Sequence, residues 1–151
     1  MGKKWLVLPF LAFLLSQCQI AQRLAIANCK YKFLNVYPVR VGLTSMDLKL
    51  SIQVDNPNPI DVVLDRLGFD LFVNGSMVSS GEIAQPITIP AGGRTVLEPT
   101  VKISYIRAGI SIVKAIKRNQ ADYEIRGRAT YLVGGREFTF PVKILSGEVL
   151  R

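Results

Sequence analysis

LKLSIQVDNPNPIDVVLDRLGFDLFVNG, residues 48–75, decides how the rest of this chain is read. Leu48, Leu50, Ile52 and Val54 alternate with Lys49, Ser51, Gln53 and Asp55. A period of two puts the first set on one face of a strand and the second in water. The strand must stop at Asn56-Pro57-Asn58-Pro59, because each proline lacks the N–H a ladder needs and forces its predecessor out of helical geometry. Leu67, Phe69, Leu71 and Val73 then resume on one face, and Asn74-Gly75 is a turn signal.

Register follows from matching faces. A loop over 74–76 sets Val73 opposite Met77, Phe69 opposite Gly81 and Leu67 opposite Ile83, whereas a two-residue loop would put Leu67 against Glu82. The expectation is a three-residue turn with a glycine bulge. Near the C-terminus, a turn on Gly134-Gly135 pairs Tyr131 with Phe138, Ala129 with Phe140, Gly127 with Val142 and Ile125 with Ile144. The outward pairs are Thr130 with Thr139, Arg128 with Pro141 and Arg126 with Lys143, and Pro141 marks an edge strand or one whose N–H position points away from its neighbour. Between the hairpins come Ile87-Thr88-Ile89, the turn Pro90-Ala91-Gly92-Gly93 and a strand near 95–103. Ile106, Ile110, Val113 and Ile116 have helical spacing, which predicts one short inserted helix over about 105–118 with its apolar stripe in the core. About seven strands with turn signals between them make an all-β sandwich of the immunoglobulin or fibronectin-III kind, spanning 30–146 and followed by a tail over 147–151.

The first thirty residues follow different rules. Lys3-Lys4 precede an unbroken apolar run from Trp5 to Leu15. A signal peptide needs roughly 7–15 apolar residues and a spanning helix about 20, so 1–17 is expected to be a signal peptide. Two exits compete. Ala25-Ile26-Ala27 is a small-x-small site, ten positions beyond the apolar run, with Arg23 between. Leu15-Ser16-Gln17-Cys18 resembles the bacterial lipobox at Leu15, Ser16 and Cys18, and departs from it at Gln17. Cys18 is therefore the expected lipid anchor, with 18–29 the lipidated cysteine and its tether, and Cys29 a small apolar residue entering the first strand.

The combination of Asn56-Pro57-Asn58, Val73-Asn74-Gly75 and Ile89-Pro90-Ala91-Gly92-Gly93 resembles the late embryogenesis abundant group-two family, also called the WHy (water stress and hypersensitive response) domain. The likeness covers about residues 30–145. It implies the same sandwich with one inserted helix. It also implies a small lipoprotein of the bacterial cell envelope, on the periplasmic side of the inner or outer membrane, linked to desiccation and stress protection. The family has no established catalytic centre, and some relatives have been proposed to handle lipids.

Composition narrows the functional classes. The 151 residues contain no histidine, which removes Ser-His-Asp and Cys-His catalysis and the usual neutral-pH base. Two cysteines are too few for a thiolate zinc site. The carboxylates form no calcium-loop or acid/base motif, and the glycines form no phosphate-binding pattern. No enzyme activity and no cofactor are expected. The net charge of +8 favours anionic neighbours. Nucleic acid is not expected among them, since Tyr131, Phe138 and Phe140 belong to the core rather than to a stacking platform. Arg126, Arg128 and Lys143 form the candidate basic strip for an anionic lipid or envelope component. Arg126 opposite Lys143 is a like-charge pair that costs stability unless an anion or an acidic neighbour offsets it. Asn56 and Asn58 are read as turn-holding side chains rather than ligand contacts. The expected function is a membrane-anchored stress-protective or interaction module. The alternative is a carrier whose apolar ligand sits in a cavity lined by Phe69, Phe138, Phe140 and Ile110.

Overall fold

The computed structural model describes residues 28–146. The signal peptide, Cys18, most of the tether and the tail over 147–151 lie outside the described residues. The strands are β1 (Lys30–Val41), β2 (Ser45–Asp55), β3 (Val62–Val73), β4 (Ser76–Ile83), β5 (Ile87–Ile89), β6 (Arg94–Leu97), β7 (Thr100–Ser104), β8 (Tyr123–Val133) and β9 (Arg136–Ser146). Two helices, α1 (Tyr105–Ala108) and α2 (Ile110–Lys117), separate β7 from β8.

Two antiparallel sheets make the sandwich. In one, β2 pairs with β1 on one edge and with β6 and β7 on the other. The second runs β4-β3-β8-β9, with β5 beside the start of β3. A short parallel contact, Lys32 with Leu145 and Phe33 with Ser146, joins them. Leu48, Leu50, Ile52 and Val54 from β2 face Leu67, Phe69, Leu71 and Val73 from β3, all buried as their alternation requires. The strand expected near 95–103 is two strands, because Pro99 cannot donate to the ladder. Its carbonyl still accepts from the Leu50 N–H at 2.9 Å, so both pieces stay on β2.

The β8–β9 register is the expected one in all seven pairs, from Ile125 with Ile144 to Tyr131 with Phe138. Phe138, Phe140 and Val142 are nonetheless only half-buried. The cause is position: among the described residues β9 meets β1 only at Leu145 and Ser146, so most of its length, Pro141 included, is an edge. Thr139, on the outward face, is hydrogen-bonded to buried Thr130 at 2.9 Å.

The β3–β4 hairpin corrects the expected turn. Val73 pairs with Ser76 across a two-residue turn whose residues, Asn74 and Gly75, have φ of 49° and 78°. That is the primed turn an Asn-Gly pair favours. The odd residue sits instead at Val78, a bulge between Met77 opposite Phe72 and Ser79 opposite Leu71. The bulge turns Val78 inward and restores Phe69 opposite Gly81 and Leu67 opposite Ile83.

The single helix over 105–118 is also corrected. Gly109, at φ 85° and ψ 152°, interrupts it in a region only glycine enters readily. Beyond the break α2 buries Ile112, Val113 and Ile116, while Ile106 is 90% and Ile110 72% exposed. The predicted stripe is thus half core and half surface. Among the described residues, no helix is long and apolar enough to cross a membrane.

Candidate functional site

The Asn56-Pro57-Asn58 turn and the 89–93 turn are one unit. Asn56 is 1% exposed, and its Nδ2 donates to the carbonyls of Ile60 at 2.8 Å, Ile89 at 3.1 Å and Pro90 at 3.1 Å. Its Oδ1 accepts from the Asn58 N–H at 3.1 Å and from Asn58 Nδ2 at 2.8 Å. Backbone bonds lock the pair from outside: Asn56 N–H to the Gly93 carbonyl at 2.9 Å, and Gly92 N–H to the Asn58 carbonyl at 3.0 Å. The Ala91 N–H donates to Asp61 Oδ1 at 2.8 Å. These side chains hold two loops together; they do not point at a ligand. The sequence marks both motifs but not that one recognises the other.

The basic strip is assembled as its register requires. Arg126 stands between Asp70 of β3 and Lys143 of β9, and Arg128 stands opposite Pro141. Arg126 Nε is 2.8 Å from Glu124 Oε1, and its guanidinium lies 4.4 Å from the centre of the Phe72 ring. The Glu124 hydrogen bond and charge, with Asp70 farther off, raise the arginine pKa above its ordinary value. Acidic neighbours thus offset the Arg126–Lys143 repulsion, and no bound anion is needed to explain it. An open groove of about 720 Å³ runs along this strand pair, lined by Glu124, Arg126, Pro141 and Lys143 with Ile125, Gly127, Val142 and Ile144. Its mixed charges make it a poor cradle for an anion.

A buried polar cluster is not legible in the sequence. The hydroxyls of Tyr31 and Tyr131, a hundred residues apart in the chain, are hydrogen-bonded to each other in the core. Cys29, half-buried beside them, bonds to Tyr131. Burial pushes the pKa of both tyrosines and of the Cys29 thiol up, outweighing the hydrogen bonds that lower those of Tyr31 and Cys29. A thiol held protonated is a weak nucleophile. Tyr31 belongs to one sheet and Tyr131 to the other, so it is the packing of the two sheets that brings these residues together.

The four side chains that would line a carrier cavity are not assembled. Phe69 lies in the core with its ring against Gly81, where a Cβ would come within 2.6 Å of Cζ. Phe138 and Phe140 are half-buried on the β9 edge, and Ile110 faces outward from α2. A second groove, of about 520 Å³, lies between β4, β7 and α1 and is lined by Met77, Lys102, Ser104 and Arg107 with residues 78–80. Among the described residues, no group of three or more His, Cys, Asp or Glu could hold a metal ion.

Two solution structures share this fold. One, AT1g01470 from Arabidopsis thaliana, is 21% identical with a TM-score of 0.59, over 78% of this chain and 82% of that one. The other, the late embryogenesis abundant (LEA) protein At2g46140.1, is 20% identical with a TM-score of 0.55, over 91% and 84%. No curated protein matches the sequence. The family model LEA_2, described as late embryogenesis abundant protein, matches residues 51–144, which takes in both asparagine-linked turns, the basic strip and both helices. The chain belongs to the late embryogenesis abundant LEA_2 family.

Proposed function

We propose that this protein is a membrane-anchored, non-catalytic module of the bacterial cell envelope, fastened by lipid on Cys18 and serving in stress protection or as an interaction domain. The observation that carries the non-catalytic reading is the use of Asn56, Asn58, Asp61, Glu124 and Arg126 within the fold, as loop fasteners and ion pairs. Support for the anchor is in the sequence: Lys3-Lys4, the apolar run Trp5 to Leu15, and Cys18 three residues beyond it. Once that signal is removed, a diacyl thioether on Cys18 would hold the mature chain at the membrane in place of the lost apolar run.

Replacing Cys18 by alanine tests the anchor. The wild type is expected in the membrane fraction as a shortened chain. Cys18→Ala is expected either in the soluble fraction or as an uncleaved, longer precursor. A variant that fractionates and migrates like the wild type would sink the lipoprotein reading.

A further inference from the structure

We propose that the end of the sandwich formed by the 42–44 turn, α1 and the start of α2 is a docking tip for an anionic lipid bilayer. Leu43 is 98% exposed, Ile106 90% and Ile110 72%. Three large aliphatic side chains in water are ordinary when scattered and informative when grouped. Leu43 and Ile106 are grouped by backbone: the Tyr105 N–H donates to the Thr44 carbonyl at 3.0 Å, and the Tyr105 hydroxyl to the Gly42 carbonyl at 3.0 Å. Ile106 and Ile110 flank the Gly109 break, which turns both away from the core that α2 otherwise covers.

Charge selects the occupant. From Pro99 to Ala121 the chain carries five cations, Lys102, Arg107, Lys114, Lys117 and Arg118, and no carboxylate. Arg107 lies between the two exposed isoleucines in sequence. Lys114 and Lys117 continue the exposed face of α2 one and two turns beyond Ile110, opposite buried Ile112, Val113 and Ile116. Lys117 Nζ sits 5.1 Å above the Tyr105 ring that ties the turn to the helix. Asp47, the acid across from Lys102, is engaged by Arg40 at 3.8 Å. Aliphatic side chains rimmed by cations with long apolar stems match the boundary between acyl chains and anionic headgroups. A protein partner of ordinary mixed charge would leave these cations unmatched.

The tip faces away from the chain's entry. β1 begins at Lys30 beside Asp55 and runs twelve residues to Val41 before the tip turn. At about 3.3 Å per residue that places the two ends roughly 35 Å apart. The tip therefore suits a surface other than the one at which the chain enters, and it stands whether or not Cys18 is lipidated.

The test uses the full chain with Trp5→Phe and Ile106→Trp, so that the sole tryptophan reports from the tip. The chain is held in zwitterionic vesicles, and anionic phosphatidylglycerol vesicles with brominated acyl chains are added. The expected result is a blue shift and quenching of the tip indole that saturates with the added vesicles. Changing Arg107, Lys114 and Lys117 to Gln should weaken the apparent affinity roughly a hundredfold, at about 1 kcal/mol per cation. Leu43→Ser with Ile110→Ser should weaken it about tenfold or more. Circular dichroism should stay unchanged, since all these side chains are exposed. Arg128→Gln with Lys143→Gln is the control and should leave the curve in place. A tip indole that stays equally open to aqueous acrylamide with and without anionic vesicles would overturn the proposal. So would vesicle-independent burial of that indole in a dimer, which would give the tip to a second copy of the chain.

Discussion

Asn56 is the residue on which two loops depend. Its amide serves three carbonyls from two separate turns, and its oxygen serves Asn58. Truncation to alanine leaves several of these groups buried and unpaired, so Asn56→Ala should cost about 2–4 kcal/mol in urea denaturation. Asn56→Asp should cost more, because a carboxylate would face the three carbonyls and donate to none. A loss under about 0.5 kcal/mol, the scale of an ordinary surface change, would contradict the fastening role. The Tyr31–Tyr131 pair makes a different prediction. Both hydroxyls have pKa values raised by burial in the folded protein, so the folded state keeps protons that the unfolded state releases above its ordinary tyrosine value of about 10. Their contribution is complete below pH of about 10 and is lost as pH rises further, by up to about 1.4 kcal/mol per unit for each tyrosine. Replacing both with Phe should flatten the alkaline limb of a stability–pH curve; an unchanged limb would show that the pair is not buried. Sequence alone marks Asn56 as turn-holding, because asparagine before proline bonds locally. It cannot show the tyrosine pair, which depends on how the two sheets pack face to face.

Hairpins are legible to the degree that facing side chains constrain them. The β8–β9 register follows from Gly134-Gly135 and from setting Phe140 against Ala129 and Val142 against Gly127, where large meets small. In β3–β4, one face alone does not distinguish an extra residue in the turn from one inside the strand, and the Val78 bulge takes it. The helix misleads because periodicity cannot see Gly109 adopting φ 85°, which ends one helix and re-aims the next. Burial ranks substitutions in β8–β9. Ile125→Ala, in the closed part of the core, should cost about 2–5 kcal/mol. Phe140→Ala, on the half-open edge, should cost less, about 1.5–3 kcal/mol. Thr139→Ala should cost about 1 kcal/mol through the lost bond to Thr130. Equal costs at Phe140 and Thr139 would overturn the facing assigned to β9.

At the scale of the whole molecule, the sandwich has two unlike ends. Chain entry at Lys30, the asparagine-fastened loops and the Gly134-Gly135 turn lie at one; the 42–44 turn, Asn74-Gly75 and the helices lie at the other. The first end is largely visible in the sequence as punctuation by Pro, Asn and Gly. The second is legible only at Asn74-Gly75, because Ile106 and Ile110 have core spacing in the sequence and stand exposed beside the Gly109 break. The basic strip lies where its register puts it, but its Glu124 and Asp70 partners make it an internally balanced surface. A domain whose polar motifs are used to hold itself together fits the proposal that its role depends on where it is fastened. The proposed lipid anchor stands or falls on the chemistry of the N-terminus, which the intact mass of the mature protein extracted from membranes reads outright. The expected mass is that of a chain beginning at Cys18 and heavier than its residues by a diacylglyceryl group. A chain beginning at Asn28 with an unmodified amine, or at Met1 with none of the signal removed, would contradict it.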